Sequence, residues 1–530
     1  MLDILITGGW VVDGTGNPAR RADLAIEGDT IAEVGRISGG VAARVIDATG
    51  MHVMPGFIDA HSHSDWTLLS NPTAESAVRQ GVTTEIVGNC GVSLAPVSSH
   101  SLAAATKLLR TYAYDGEVGW RSYAEYLETV ASMGMSINYA YLVGHTAIRT
   151  AAGATGADVD EPQLRAMEAL LAEAMESGAL GMSTGLELEG KHAPEIEVTR
   201  LARVLRRYDA MYVSHIRNRD AHLQAAMDEF MRYAIEAGGR AQVSHLNVRA
   251  NTGAPDGGWE QAVATIERAR ADGLDVLTDT ISMTRGIGLM AGILPPDFVA
   301  DGPVVAAARL GDPAVRRHLR TECDRYWRFI HRGEWHRVRL LASPQFPELN
   351  GLSFPEIAAR RGGDEWDAFF DILAAAGPDM PKLIMYAELY SEEHLAAMVS
   401  HPLFMLAVDA MNSTVDPPLA DMTGQPLVYA GQITYLTHHV LETGLLRLEE
   451  AVRKMTSMPA GHFGLRGRGL LQPGCAADVV VLDLERLRAP STILAPAVYA
   501  EGVRDVLVNG VPVLDGGDHT GSRPGRTITR

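Results

Sequence analysis

Residues 54–63 read Met-Pro-Gly-Phe-Ile-Asp-Ala-His-Ser-His, and this segment indicates the type of fold. A short apolar run that begins at Phe57 leads directly into His61 and His63. Residues two positions apart on a strand point to the same side of its sheet. The sequence therefore predicts a short buried strand that presents two imidazoles to one point at its carboxyl end.

Beyond this segment, further strand-like runs recur along the chain and alternate with segments of helical period. Eight β-α alternations are the pattern of a (β/α)8 barrel, so we predict an α/β fold with a TIM-like barrel. A ninth run, 382–388, either takes the seventh place or lies outside the barrel, and the sequence leaves both readings open. The eight runs are 57–61, 82–89, 138–145, 179–184, 211–215, 241–245, 274–279 and 403–409.

Both ends of the chain differ in sequence pattern from the middle, because they contain short β-rich runs separated by Gly and Asp turns. We predict that residues 1–56 and 467–530 together form one small β-sandwich domain, and that residues 57–466 form the barrel. A long insertion is expected at about 286–350. It contains the Arg- and aromatic-rich segment 309–339, which we predict to fold as helices over the barrel mouth.

Composition narrows the class of protein. The chain has 530 residues, 46% of them hydrophobic, and a net charge of −19. These values are typical of a soluble globular protein, and the acidic balance argues against nucleic acid or anionic membrane as a partner. No signal peptide or transmembrane segment is visible, and three scattered cysteines suit a reducing compartment. We therefore predict a cytoplasmic protein with a small-molecule partner, and leave a homo-oligomer open.

The predicted strand ends carry side chains that bind metals. The carboxyl ends of barrel strands converge on one face, where active sites form. Each residue alone has an ordinary explanation, such as a buried thiol or a helix cap, but together they favour a metal site. Imidazole, thiolate and carboxylate groups are ligands suited to zinc. The candidate ligands are His61, His63, Cys90, His215, His245 and Asp409.

The motifs around these residues resemble those of the amidohydrolase superfamily and, within it, of the D-aminoacylase (N-acyl-D-amino-acid deacylase) family. The Gly-Asn-Cys-Gly segment at 88–91 is the most specific, because many relatives bridge metals with a carbamylated lysine instead. The chain has only four lysines, none of which ends a predicted strand, and this favours Cys90. The resemblance covers nearly the whole chain and also rests on residues 54–65, 81–84, 144–146, 183–186, 214–215, 243–246, 449–457 and 468–474.

The resemblance implies a zinc-dependent hydrolase that cleaves an amide C–N bond. It implies one zinc held tightly by Cys90 with the histidines after strands five and six, and a second, weaker position at the His-x-His pair. Asp409 is expected to act as the general base. For His145 the sequence leaves two roles open, polarisation of the scissile carbonyl or a structural role at a strand end.

The chain departs from the family where relatives hold the substrate's α-carboxylate. Asn247 stands where they have a lysine, residues 281–283 replace a Tyr-Pro-Tyr, residues 286–288 replace a Gly-Ser-Thr, and residues 425–427 replace a His-Pro-Arg. Loss of both cations removes the charge-assisted bonds that would hold a carboxylate. We therefore expect a substrate without a free α-carboxylate.

The predicted substrate-contact residues are Arg285, Asn247 and Ser183. Arg285 is either a substitute anchor for a carboxylate or a surface arginine. Two alternative functions use other readings of the same site: a hydrolase of a cyclic amide, imide or lactone, and a non-catalytic binding relative. The second is disfavoured because all six candidate ligands are present.

Overall fold

The computed structural model describes residues 2–38, 41–299, 301–322 and 325–530, and in it the eight predicted runs form one parallel sheet. Neighbouring strands pair in chain order, and the sheet closes into a barrel. The last strand returns to the first, because Asp409 N donates to His61 O at 3.0 Å and His63 N donates to Ala410 O at 2.8 Å. The predicted α/β barrel fold is confirmed. Barrel strands 1 to 8 are Phe57–Asp59, Val82–Val87, Asn138–Gly144, Gly181–Gly185, Met211–His215, Arg240–Val243, Asp275–Thr280 and Phe404–Leu406.

Helices cover the outside of these strands. Parallel strands that are covered on both faces are buried along their whole length, and strands 2 and 3 are buried at every residue. The helices associated with the barrel are Glu75–Val78, Leu102–Thr111, Tyr123–Met133, His145–Ala151, Glu161–Glu176, Glu195–Arg207, Leu223–Glu236, Gly258–Ala271, Glu392–Ser400, Leu419–Met422, Pro426–Thr434, the π-helix Tyr435–Glu442, Leu448–Met455 and Ser457–Phe463.

The two ends of the chain meet in a single nine-stranded sheet. The strand His52–Pro55 pairs antiparallel with Val479–Leu482, which joins the N-terminal strands to the C-terminal ones. Apolar residues from both ends share one core. The predicted domain limits at residues 56 and 467 stay a prediction. The remaining strands of this sheet are Leu2–Val11, Arg20–Glu27, Thr30–Gly35, Ala42–Asp47, Val503–Val508, Val511–Asp515 and Asp518–His519, while the short strand Thr527–Ile528 pairs with barrel strand 3.

The segment between barrel strands 7 and 8 is longer than the predicted 286–350 and contains strands as well as helices. Arg285–Leu289 and Val338–Ala342 flank Ile384–Glu388 in an antiparallel sheet, which places the ninth predicted run outside the barrel. The added length belongs to the same unit, because its helices and strands share a separate apolar core.

Only part of the predicted helical segment 309–339 is α-helical. Pro313–Glu322 is an α-helix, and the chain then continues through the 3-10 turns Arg325–Arg332 and Trp335–Arg337. Cys323, for which the sequence suggests no special role, lies outside the described residues. The other α-helices of this segment are Pro296–Val299, Pro303–Arg309, Phe354–Arg361 and Glu365–Ala376.

Within the described ranges, no helix combines the length and the apolar character that crossing a membrane requires.

A buried polar network joins the barrel to the terminal sheet. Asn138 begins barrel strand 3, and its Nδ2 donates to Asp478 Oδ2 at 3.3 Å. Its Oδ1 accepts from Asn509 Nδ2 at 2.8 Å and from Arg526 N at 3.0 Å. Because Asp478, Asn509 and Arg526 belong to the C-terminal segment, one amide side chain ties the two parts of the fold together.

We expect Asn138→Ala to lower the midpoint of thermal unfolding by several degrees. The substitution removes the acceptor of the Arg526 N–H and one of the two acceptors of the Asn509 amide, which keeps only the Pro524 carbonyl, and each unsatisfied buried group costs about 1–3 kcal/mol. Differential scanning calorimetry measures the shift. Asn17→Ala, at an exposed asparagine, is the matched control. An unchanged midpoint in Asn138→Ala would show that the network does not stabilise the fold.

Candidate metal centre

Cys90 brings three imidazoles together at the carboxyl ends of the barrel strands. Its Sγ lies 3.4 Å from Nε2 of His61, 3.6 Å from Nδ1 of His215 and 3.5 Å from Nε2 of His245. These histidines follow barrel strand 1, end strand 5 and follow strand 6, whereas Cys90 follows strand 2. The convergence predicted from the strand ends is therefore present in the fold.

Asp409 and His63 complete the group on one side. Asp409 Oδ1 lies 3.3 Å from Nε2 of His61 and 3.2 Å from Nε2 of His63, and its Oδ2 lies 3.7 Å from Nε2 of His245. The Asp409 side chain is 31% exposed, whereas that of His61 is fully buried. The carboxylate is thus the part of the group that solvent reaches.

The donor atoms of this group fit a zinc ion. One ligand atom from each of His61, Cys90, His245 and Asp409 lies within 4.8 Å of the others. Lone pairs that face each other in a buried space repel unless a cation or protons separate them. Sulfur, imidazole nitrogen and carboxylate oxygen are the ligands that zinc takes in proteins.

The residues around Cys90 favour the ionised form of its thiol. Burial alone would raise its pKa, but the charge of His61 and hydrogen bonds with His215 and His245 hold the pKa well below its ordinary value. The thiolate is the form of cysteine that binds metals. The site therefore stabilises the ligand form of Cys90.

Two glycines allow the Cys90 loop to fit between neighbouring strand ends. A Cβ atom at Gly88 would lie 2.0 Å from the carbonyl oxygen of Leu142, and one at Gly91 would lie 2.6 Å from the backbone nitrogen of Gly185. Both glycines also have positive φ angles, +78° and +80°. Close approach of backbones therefore explains the Gly-Asn-Cys-Gly motif.

Ser183 fastens this loop from barrel strand 4. Its Oγ donates to the carbonyl of Gly88 at 2.5 Å and accepts from the N–H of Gly91 at 2.9 Å. The side chain is buried, and its hydroxyl is engaged on both sides by the loop. The structure thus gives Ser183 a positioning contact, and its predicted contact with the substrate stays a prediction.

Three of the candidate ligands have strained backbones. The φ angles of Cys90, His245 and Asp409 are 52°, 34° and 52°. This left-handed region is costly for residues with a Cβ atom, and such outliers persist only where the surroundings enforce them. The strain lies at the residues that meet one another, as is common at functional sites.

Asp279 is a member of the site that the sequence analysis missed. Its Oδ1 lies 3.4 Å from Nδ1 of His61 and accepts the backbone N–H of His245 at 2.9 Å. Asp279 is the last residue of the predicted run 274–279, so the strand-end signal that indicated the other ligands also applied to it.

Glu187 was missed as well, and it orients His215. It accepts a hydrogen bond from Nε2 of His215 at 2.8 Å and pairs with Arg219 at 3.1 Å and with Arg249 at 3.0 Å. With Nε2 engaged in this way, Nδ1 of His215 faces Cys90. A carboxylate in this place fixes the tautomer and the ring of a metal-binding histidine.

Asn247 lies beside the metal-binding group and is already engaged. Its Oδ1 accepts from an Nη of Arg219 at 3.0 Å, and the same guanidinium nitrogen lies 2.9 Å from Nδ1 of His245. Arg285 lies in the small antiparallel sheet, where it pairs with Glu388 at 3.3 Å and both side chains are 53% exposed. Their predicted roles in substrate binding stay predictions.

His145 is buried at the start of a helix after barrel strand 3. Its Nε2 lies 2.5 Å from Oε1 of Glu197, which also accepts from Nε of Arg149 at 2.9 Å. This contact gives His145 a structural partner. Polarisation of a substrate carbonyl by His145 stays a prediction.

Comparison with known proteins identifies the family. A sequence profile described as "Amidohydrolase family" matches residues 44–313 and 401–514. An N-acyl-D-glutamate deacylase from Alcaligenes xylosoxydans xylosoxydans is 34% identical, over 100% of this chain and 97% of the relative. The likeness therefore extends over both the barrel and the terminal sheet.

Solved structures agree with the sequence comparison. A D-aminoacylase with a binuclear metal centre superposes with a TM-score of 0.80 at 29% identity, over 100% of both chains. The N-acyl-D-glutamate deacylase from Bordetella bronchiseptica, complexed with zinc and a phosphonate inhibitor, superposes with a TM-score of 0.79 at 31% identity, again over 100% of both chains. The chain therefore belongs to the amidohydrolase family, as its motifs indicate, and is a hydrolase of amide C–N bonds.

Proposed function

We propose that the protein is a zinc-dependent N-deacylase of the D-aminoacylase type. One observation carries this proposal: the buried Sγ of Cys90 lies within 3.6 Å of three imidazole nitrogens. The deacylase relatives, and the zinc bound to one of them, support the same function for this chain. Similar folds and similar ligand sets support similar chemistry only when the site residues themselves are present, as they are here.

The first zinc position consists of Cys90, His215 and His245. The contacts of Glu187 with His215 and of Arg219 with His245 hold both rings in place and support this assignment. His61 and His63 form the second, weaker position, which shares Cys90. Bound zinc supplies a water of lowered pKa and polarises the substrate carbonyl.

Asp409 acts as the general base. Burial alone would raise the pKa of its carboxyl, but the charges of His245 and His61 and a hydrogen bond from His63 keep the pKa below its usual range. The ionised carboxylate, on the solvent side of the group, takes a proton from the attacking water. It then delivers that proton to the leaving nitrogen, which is the usual sequence for a base that later acts as an acid.

The substrate lacks a free α-carboxylate. Asn247 stands at the position of a carboxylate-binding lysine, and the neighbouring arginines are engaged elsewhere. Arg219 and Arg249 pair with Glu187, and Arg285 pairs with Glu388. A carboxylate brought to this site would therefore have to displace an existing ion pair, which disfavours its binding.

The same proposal extends to the cell context. A net charge of −19 and three cysteines in 530 residues support a cytoplasmic location and argue against a nucleic-acid partner.

Removal of the metal should abolish hydrolysis. We expect dialysis against 1,10-phenanthroline to remove activity and added Zn²⁺ to restore it. Cys90→Ser should bind less zinc, as measured by mass spectrometry, because a neutral hydroxyl replaces a thiolate. Cys475→Ser removes a thiol from the terminal-sheet core and is the matched control. Full activity after complete zinc removal would contradict the proposed function.

Asp409→Asn should separate metal binding from catalysis. The amide cannot take a proton, so we expect kcat to fall by about 10²- to 10⁴-fold, the usual contribution of a general base. Zinc content should remain near that of the unaltered protein. Asp416→Asn, at an exposed aspartate, is the control. A fully active Asp409→Asn protein would show that another group is the base.

Substrates with and without a carboxylate should differ strongly. We expect kcat/KM for N-acetyl-D-leucinamide to exceed that for N-acetyl-D-leucine by at least about tenfold, because Arg219, Arg249 and Arg285 already form ion pairs that a carboxylate would have to displace. Fast turnover of N-acetyl-D-leucine, unchanged in Arg285→Ala, would contradict this substrate assignment. Fast turnover of N-acetyl-D-leucine that is selectively lost in Arg285→Ala would also contradict the assignment, because Arg285 would then bind the substrate carboxylate. Faster hydrolysis of hydantoin than of either compound would favour the cyclic-amide alternative.

A further inference from the structure

A cavity of about 330 Å³ lies at the segment that follows barrel strand 7, and three sequence segments that differ from the family meet in its wall. Residues 282–283, 286–287 and 425–427 all line it. The first two segments are neighbours in the sequence, whereas 425–427 is about 140 residues away, so its meeting with them is a property of the fold. Small-molecule sites are concave and mostly apolar, with volumes that begin at about 300 Å³.

The inner wall of this cavity is apolar. It contains Met283, Ile287, Leu395, Leu427 and Ile493. Its charged lining residues, Arg285, Glu392 and His438, have side chains that are 53%, 69% and 38% exposed. The charged groups thus belong to the more exposed part of the lining, which disfavours burial of a carboxylate among the apolar residues.

The cavity adjoins Asp409 through packed side chains. Met283 and Leu427 line the cavity and also pack in one cluster with Val408 and Ala410, which flank Asp409 in the sequence. The side chains of Met283 and Leu427 therefore connect the wall of the cavity to the two residues that flank the base.

One polar atom in the wall has no partner. The Oγ of Ser282 is buried and makes no hydrogen bond to any residue that the structure describes. Buried hydroxyls are nearly always hydrogen-bonded, and an exception calls for a ligand or a water. The wall therefore has an unsatisfied hydroxyl at Ser282 in addition to its other uncharged polar residues, which are Thr284, Gln425, Thr434, Ser491 and Thr492.

We infer that this cavity is a specificity pocket for an apolar group on the nitrogen side of the scissile amide. The inference rests on the proposed deacylase function and names its substrate class: N-acyl derivatives of amines that carry a large uncharged substituent, such as an aryl-alkyl group. The nitrogen side is assigned because the three segments stand where relatives hold the α-carboxylate, which is attached to the amine part of the substrate.

Two acetylated amines that differ only in this substituent test the inference. We expect kcat/KM for N-acetyl-2-phenylethylamine to exceed that for N-acetylethylamine by at least about tenfold, since even one methylene in an apolar pocket is worth about tenfold or more. N-acetyl-D-phenylalanine adds a carboxylate to the larger compound and should be the poorer substrate of the two aromatic ones.

Ile287→Trp fills the cavity and should reduce the ratio between the two amines to near one. Met283→Ala removes apolar wall and should reduce it by about threefold or more, and it serves where the tryptophan variant does not fold. Ile235→Trp, on the exposed face of the helix Leu223–Glu236, is the matched control and should leave the ratio unchanged.

Calorimetric titration separates binding from turnover. In the Asp409→Asn background, Ile287→Trp should weaken the binding of N-acetyl-2-phenylethylamine by at least about tenfold, as expected for loss of an apolar subsite. If no acetylated amine is hydrolysed by the zinc-loaded protein, the deacylase proposal fails, and this titration still tests the cavity.

Three results would overturn the pocket assignment alone, provided that the amines are hydrolysed. The first is a ratio below twofold between the two amines. The second is a ratio that Ile287→Trp leaves unchanged. The third is a preference for N-acetyl-D-phenylalanine over N-acetyl-2-phenylethylamine, which would mean that the site binds the carboxylate.

Discussion

The buried Cys90 thiolate is the constraint on which the site depends. A charged sulfur in the interior is costly unless opposite charge or hydrogen bonds compensate it, and here three imidazoles within 3.6 Å supply the charge of His61 and hydrogen bonds from His215 and His245. Those imidazoles come from three barrel strands, so their positions fix the strand ends relative to each other. The barrel in turn supplies the buried strands that hold the rings in place. The compensation of the Cys90 charge therefore depends on the barrel, and the imidazoles that provide it fix the barrel strand ends.

The same constraint explains why local backbone rules are broken at the site. To place its sulfur among the rings, Cys90 adopts a left-handed conformation, and the loop must pass within contact distance of two other strands. Gly88 and Gly91 permit this approach, and Ser183 holds it by accepting from one glycine and donating to the other. The cost of strain at Cys90 is thus met by hydrogen bonds and close packing around it. The position of this strand-end thiol therefore depends on two neighbouring strands, barrel strands 3 and 4.

Part of the fold and of the candidate site was predictable because local sequence patterns indicate it. Buried parallel strands read as short apolar runs, and the ligands lie directly at their ends, so the eight strands and the six candidate ligands follow from the sequence. Glu187 does not, because it lies in a loop and contacts His215 only through tertiary structure. The small sheet of the insertion was only partly predicted: the run 382–388 was recognised, but its partners Arg285–Leu289 and Val338–Ala342 were not, since they are short and pair with it across long separations. Asp279 shows a further limit: the signal was present, but a buried aspartate at a strand end has several roles.

The residues proposed for catalysis and those proposed for specificity lie in different parts of the chain. The six candidate ligands, which include the proposed base, all lie at barrel strand ends, whose geometry is fixed by closure of the sheet. The proposed specificity pocket is built instead from the start of the insertion, the helix that precedes strand 8, and the segment 425–427. Replacement of polar by apolar residues in these segments changes the lining of the cavity without moving a ligand. A chain that keeps all six candidate ligands and yet has lost the carboxylate anchors is what this separation permits, because substrate preference can change while the metal centre stays intact.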